Sequence, residues 1–314
     1  MATTFPTRAL AAEFPARSLP AAAQAWVESD VPVAPRSYLA DVRSRLRRNR
    51  AAMISSFVLA VLVLTCISAA LISPYDPNVG EVMDRLQPIG SPNHILGTDD
   101  QGRDMLSRLL WGGQLSLLAG FAPVLIATAI GTAIGAFAGY VGGPVRSALM
   151  RSLDIFYGLP AILLAIAIGA SLGPGLLNVI ISVSIVYVAP IARVAEAATR
   201  RAMVEEYIEA ARLSGAGVPA IIMSELLPNI FNPIFVYSAG LVGLSMIIAS
   251  SLSFLGLGSR PPTPEWGYML NSLRPMIYMN PWVVVLPGVM IFITSVAFNT
   301  LSDAIRDAMD IKSS

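Results

Sequence analysis

One histidine, His94, one lysine, Lys312, and one cysteine, Cys66, are all that 314 residues supply of three side chains often used for acid–base, nucleophilic and metal chemistry. With a lone histidine, H-E-x-x-H zinc sites and the usual Ser-His-Asp arrangement are absent. Lys312 is not preceded by G-x-x-x-x-G-K-[ST], so the chain is not its own P-loop ATPase. One cysteine permits no intrachain disulfide. Carboxylates remain, and three of them, Glu205, Glu206 and Glu209, gather in the stretch RRAMVEEYIEAARLSGAGVPAIIMSELLPN over 200–229. Read as the last turns of a helix, they oppose the helix dipole and call for a cation from elsewhere. Ala210 and Ala211 beside them are small enough for another surface to approach the backbone. Gly215 supplies the positive φ that closes a helix, and Pro219, after Gly217, starts a second one. This is the chemistry of docking, and the isolated chain is read as no enzyme.

The elements that hold this elbow are apolar. The chain is 55% hydrophobic and 13% charged, with a mean hydropathy of +0.66, too apolar for a water-soluble domain of this length. The pattern predicts an all-α polytopic membrane protein. Six spans are expected at 51–72, 115–140, 153–172, 177–195, 230–254 and 282–301, with a cytoplasmic loop over 196–229. Residues 1–50 read as a tail without regular structure followed by a short basic helix carrying Arg43, Arg45, Arg47, Arg48 and Arg50; the transmembrane domain then covers 51–311. With the N-terminus inside, only Arg85, Arg103, Arg108, Arg260 and Arg274 of the 21 basic residues fall in outer segments, so both termini and the elbow are expected in the cytoplasm. A net charge of +1 argues against a nucleic-acid partner.

Three further stretches have readable roles. Ala127, Gly131, Gly135 and Gly139 recur every fourth residue in the second span, a groove for close helix packing in lipid. The outer segment 73–111 contains HILGTDDQGRDMLSRLLWG. Its Thr98, Asp99, Gly102, Arg103 and Asp104 read as a capped turn, leading into an amphipathic helix that lays Met105, Leu106, Leu109 and Leu110 on the membrane surface. This segment is read either as a cap sealing the bundle or as a contact for a receptor or substrate. The uncharged run 226–259 is longer than one span, and its SSLSFLGLG predicts a helix that breaks near the outer leaflet. Ser250, Ser251, Ser253 and Asn299 supply polar groups on the last two spans and are the candidates to line a solute pathway, although serines in such helices usually bond backbone carbonyls.

The order Glu209-Ala210-Ala211, Gly215, Glu225, Leu227-Pro228 resembles the EAA loop of ABC-importer permeases, with Glu225 where the pattern usually has an aliphatic residue. LGTD and GRD with the following L-S-R-L, SLSFLGLG with PPTPEWG, and AFNTLSDAIRDAMD are similar to motifs of the C-type subunit of dipeptide, oligopeptide and nickel permeases, so the likeness runs from about residue 40 to 311. The resemblance implies the type I importer permease fold in a bacterial inner membrane. It also implies a related second permease, two P-loop ATPase subunits that carry the ATP and Mg, and an extracytoplasmic substrate-binding protein, with no cofactor or metal on this chain. Glu209, Ala210, Ala211, Arg212, Gly215, Leu227 and Pro228 would then form the coupling contact. Two other classes are a secondary transporter, which the uncharged spans disfavour, and a structural membrane subunit.

Overall fold

The computed structural model describes residues 38–309. The tail expected over 1–37 and the residues from 310 onward lie outside the described residues. Helix α1 (Tyr38–Arg48) has basic residues in its last turn; from Arg45 onward the chain forms one compact unit. Within it run α2 (Arg50–Ile67), the short α3 (Ala69–Ile72), α4 (Met105–Val141), α5 (Gly143–Tyr157), α6 (Ala161–Leu172) and α7 (Leu176–Ala202). Next come α8 (Glu206–Leu213), α9 (Val218–Ala220), α10 (Leu227–Phe254), α11 (Trp266–Leu273) and α12 (Pro281–Met309).

Among the described residues, five helices are long and apolar enough to cross a membrane. The sixth expected crossing, 153–172, falls on a bent pair rather than on one straight helix: α5 and α6 meet at 88° and make the sixth span when taken together as one broken span. The chain turns at Gly158-Leu159-Pro160, where proline cannot continue the preceding helix and pushes Leu159 out of helical geometry. The remaining twelve residues of α6 rise only about 18 Å, short of a hydrocarbon core.

The bundle is built on α4 and α7. Successive turns of α4 present Ala127, Gly131, Gly135 and Gly139, all buried, and α7 lies directly in the groove they leave. A Cβ on Gly131 would stand 2.9 Å from the Val188 carbonyl oxygen, and one on Gly139 2.7 Å from Thr199 Cβ. In lipid, where apolar burial gives helices no reason to associate, such close approach supplies the dispersion contact that holds them. Helix α10, with Leu164 and Ala165 of α6, completes the main core, and a second cluster near the start of α4 joins Cys66, Met105, Leu109, Met246, Trp266 and Met269.

That second cluster overturns the surface helix expected after Asp104. Met105 is fully buried, Leu109 nearly so, and α4 runs unbroken for 37 residues into the bundle. Gly112 and Gly113 do not end it because their missing side chains admit the Glu265 backbone and the Trp266 ring. The indole Nε1 of Trp266 donates to the Leu109 carbonyl at 2.9 Å. At the same end α10 stops at Phe254, and Gly256 takes a φ of +85°, so the break expected in SSLSFLGLG is present.

Candidate functional site

At one end of the bundle α7 gives way to a bent, solvent-facing elbow. The placement of its carboxylates differs from expectation: Glu205 is the residue before α8, and Glu206 and Glu209 lie in that helix's first turns. They therefore complement the dipole of α8 rather than oppose it. The inversion follows from a break after Ala202: Met203 and Val204 form a turn, Glu205 is extended, and the helix restarts at Glu206. Glu206 and Glu209 remain exposed, and neither forms an ion pair among the described residues. Ile208, fully buried, anchors α8 from beneath.

Ala210 is exposed and Ala211 half-buried. Arg212 turns back, its guanidinium 5.8 Å from the centre of the Tyr140 ring at the end of α4. Gly215 closes the helix at φ +81°, a conformation costly for residues with a Cβ. Pro219 then opens the second phase, as the spacing predicts. Burial, and then the Glu205 and Glu225 carboxylates, hold the Tyr207 phenol above its ordinary range. Large apolar side chains frame the charges: Val204 is 82% exposed and Leu213 89%.

Between α9 and α10 the chain forms a π-helical turn, Ile221–Leu226, with the Leu227 amide donating to the Ile222 carbonyl. Pro228 explains it. Its ring clashes with the carbonyl four residues back and it has no N–H to donate, so the turn widens by one residue. The Asn229 side chain donates to the Glu225 carbonyl at 2.6 Å. Leu227 is half-buried and Pro228 exposed.

Ser250, Ser251 and Asn299 meet across α10 and α12 in a groove of about 660 Å³, joined by Ser295 and Phe254. Ser253 does not join them. It is fully buried against α11, where a Cβ on Gly267 would stand 2.8 Å from its own Cβ. At about 100° per residue it lies about 60° around the helix from Ser250 and about 160° from Ser251, enough to turn it from the groove into the contact with Gly267. A second groove, of about 590 Å³ and almost wholly apolar, lies between α4, α10 and α12 beside Phe121, Thr128, Phe231 and Phe298. Its residues had no signal in the sequence beyond being apolar on helices.

At the other end of the bundle the turn 97–104 is inside the protein. Thr98, Asp99, Arg103 and Asp104 are each less than 5% exposed, and Gly102 is buried. Asp99 accepts from the Gln101 amide at 2.8 Å, the Arg103 amide at 2.9 Å and Arg103 Nε at 2.6 Å, with Arg108 Nε at 3.5 Å. Asp104 caps α4 through Ser107 and pairs with His94 Nδ1 at 2.9 Å. These side chains fasten the outer segment to α4; its most exposed large apolar side chains are Val79, Val82, Met83 and Ile95. Contact by residues 98–104 with a receptor is corrected accordingly, because polar groups satisfied inside the fold have no face left for a partner. Among the described residues no cluster of three or more His, Cys, Asp or Glu is placed to hold a metal.

An all-helical membrane bundle with a charged elbow at one end and an uncharged polar groove within it defines a solute-transporting membrane subunit. Residues 131–312 match the family of binding-protein-dependent transport system inner membrane components, and residues 37–88 match the N-terminal TM domain of oligopeptide transport permease C. The chain belongs to this family: it is a multi-pass inner-membrane permease subunit of a peptide-type ABC importer. It is 43% identical over 268 residues to the glutathione transport system permease protein GsiD of Escherichia coli O6:K15:H31 (strain 536 / UPEC), covering 85% of this chain and 88% of that one. The corresponding figures for GsiD of Pectobacterium atrosepticum are 40% identity, 85% and 89%. A solved amino acid ABC transporter, described as with histidines, aligns over 64% of this chain and 96% of its own at 15% identity and a TM-score of 0.45.

Proposed function

We propose that the elbow docks on a separate P-loop ATPase and that the chain forms, with a related second permease, the pathway for a small peptide. The observation that carries this reading is the pair of exposed, unpaired carboxylates on α8, framed by exposed Val204 and Leu213 at a bend that Gly215 holds. A cationic, partly apolar groove on the motor is the complementary surface. ATP and Mg belong to that motor, whose closure draws the two elbows together and selects between two arrangements of the bundle. An extracytoplasmic binding protein delivers the solute to the opposite end.

The distribution of arginines supports an elbow and termini on the cytoplasmic side. Ser250, Ser251, Ser295 and Asn299 give the groove hydroxyl and amide dipoles but no fixed charge. A zwitterionic peptide passes such a wall without being trapped by it. The relatives named for glutathione make that tripeptide the first solute to try.

The test is reconstitution with the cognate binding protein and ATPases, measuring ATP-dependent uptake of labelled glutathione against a dipeptide and nickel. Uptake of the peptides, abolished by ATP depletion at a constant ion gradient, is the expected result. Uptake that survives ATP depletion identifies an ion-coupled transporter instead. Orientation is read in a Cys66→Ala background, where Leu213→Cys should react with an impermeant maleimide only from the cytoplasmic face and Val82→Cys only from the opposite one.

A further inference from the structure

Helix α5 is attached to the bundle by little apolar contact. Met150 is its one fully buried side chain, in a small cluster with Ala138 and Ala192 against which Leu149 and Leu153 of the same helix are half-buried. Two ion pairs to α7 supply the rest. Arg146 near the start of α5 pairs with Glu196, and Asp154 near its end pairs with Arg193. The signs are crossed, since each helix contributes one cation and one anion.

The spacings make this a two-point clamp. Arg193 and Glu196 are three residues apart on α7 and so share a face. Arg146 and Asp154 are eight apart on α5, about two turns, and also share a face, with about 12 Å between them along the axis. The Arg193 guanidinium also lies 5.5 Å from the centre of the Tyr157 ring, at the last residue of α5 before the 88° corner into α6.

Glu196 sits where three helices meet. It is 8% exposed, and Cβ atoms on Gly135 and Gly139 of α4 would stand 2.9 Å from its amide nitrogen and 3.0 Å from its carbonyl oxygen. Its backbone is therefore wedged against α4 while its carboxylate holds α5, with Arg200 Nε 4.0 Å away on the same helix. Six residues later α7 ends and the elbow begins.

We propose that the crossed pairs Arg146–Glu196 and Asp154–Arg193 make α5 a strut that carries displacement of the elbow to the α5–α6 corner. These four are positioning residues for transport, acting on the bundle rather than on solute. The proposal rests on the elbow being the motor's docking site. A weakly packed helix held by charges at both ends follows its partner as one body; with the charges removed, α7 moves and α5 lags. Hydrolysis then runs without transport.

The experiment uses the complete importer in proteoliposomes and reads solute delivered per ATP hydrolysed. Glu196→Arg and Arg146→Glu should each lower that ratio by about tenfold, a loss within the range usual for energetically linked sites. The doubly exchanged protein should return to within about threefold of the starting protein, as coupling between directly contacting residues requires. Unchanged ratios in the single variants, or a double variant no better than the singles, overturn the strut. If the reversals prevent assembly, Asp154→Asn with Arg193→Gln, which reverses no buried charge, carries the test: a lowered ratio supports the strut and an unchanged one overturns it. Co-purification of the ATPases is scored in parallel. Their absence from the unmodified complex defeats the docking reading, whereas their presence throughout with unchanged ratios defeats the strut alone.

Discussion

Gly135 of α4 and Ala195 of α7 are so close that a Cβ on the glycine would stand 2.7 Å from that of the alanine. Real Cβ atoms essentially never approach so near, and the obstacle includes the α7 backbone at Glu196 as well as a methyl group. The two helices that carry the elbow and fix the bundle are therefore in register only while position 135 has no side chain. Gly135→Ala should cost about 1–3 kcal/mol, the usual range for overpacking. Gly135→Leu should not yield a monodisperse protein. Thermal unfolding in detergent, with size-exclusion profiles, checks both.

Arg103 and Asp99 test the clamp at the opposite end. Their Nε–Oδ2 contact of 2.6 Å is buried on both sides. Arg103→Met leaves the Asp99 carboxylate facing only the more distant Arg108, and removing one member of a buried pair typically costs about 3–5 kcal/mol. The segment 73–104 should then become sensitive to protease while the core helices stay protected. Protease resistance equal to that of the unmodified protein would refute the clamp.

Glu209 is the carboxylate whose reversal bears most directly on docking. Glu209→Arg places like charge against a basic groove, and losing a desolvated charge partner costs about 2–5 kcal/mol. Uptake and solute-stimulated ATPase activity should both vanish with the fold intact. Gly215→Asp should act similarly by a different route, through the strain of φ +81° on a residue with a Cβ, since nothing lies within 4 Å to obstruct the side chain itself. The measurement is ATPase co-purification and hydrolysis rate.

Asn299 distinguishes the pathway from the docking site. Asn299→Leu removes an amide from the groove at nearly constant volume and should slow uptake about 3- to 10-fold, the size of one neutral hydrogen bond. Binding of the ATPases should not change. Ser253→Ala, buried against Gly267 and outside the groove, should transport normally. Equal transport loss in both variants would show that neither acts through the groove.

How much was legible depended on the range of the interaction concerned. The breaks at Gly215 and Gly256 and the start at Pro219 could be read because the residues themselves limit φ or remove a donor. The glycine repeat could be read because period four is the helix's own geometry. The direction of Glu206 and Glu209 against the helix dipole could not, because it turned on a break at Met203-Val204 that no glycine or proline marks. Burial of Thr98, Asp99, Arg103 and Asp104 was equally hidden, since a run of charges looks the same whether it faces water or its own counter-ions.

By itself the sequence determined that this is an α-helical membrane protein, where the elbow bends, and which family it belongs to, because composition, local backbone preference and motif order act within a few residues. Only the tertiary structure decided that the expected third span bends by 88° between α5 and α6, that Ser253 is sealed against Gly267, and that Glu196 holds α5 through Arg146. Those facts depend on pairs distant along the chain. Their physical cause is the meeting of surfaces whose relative placement no single segment contains.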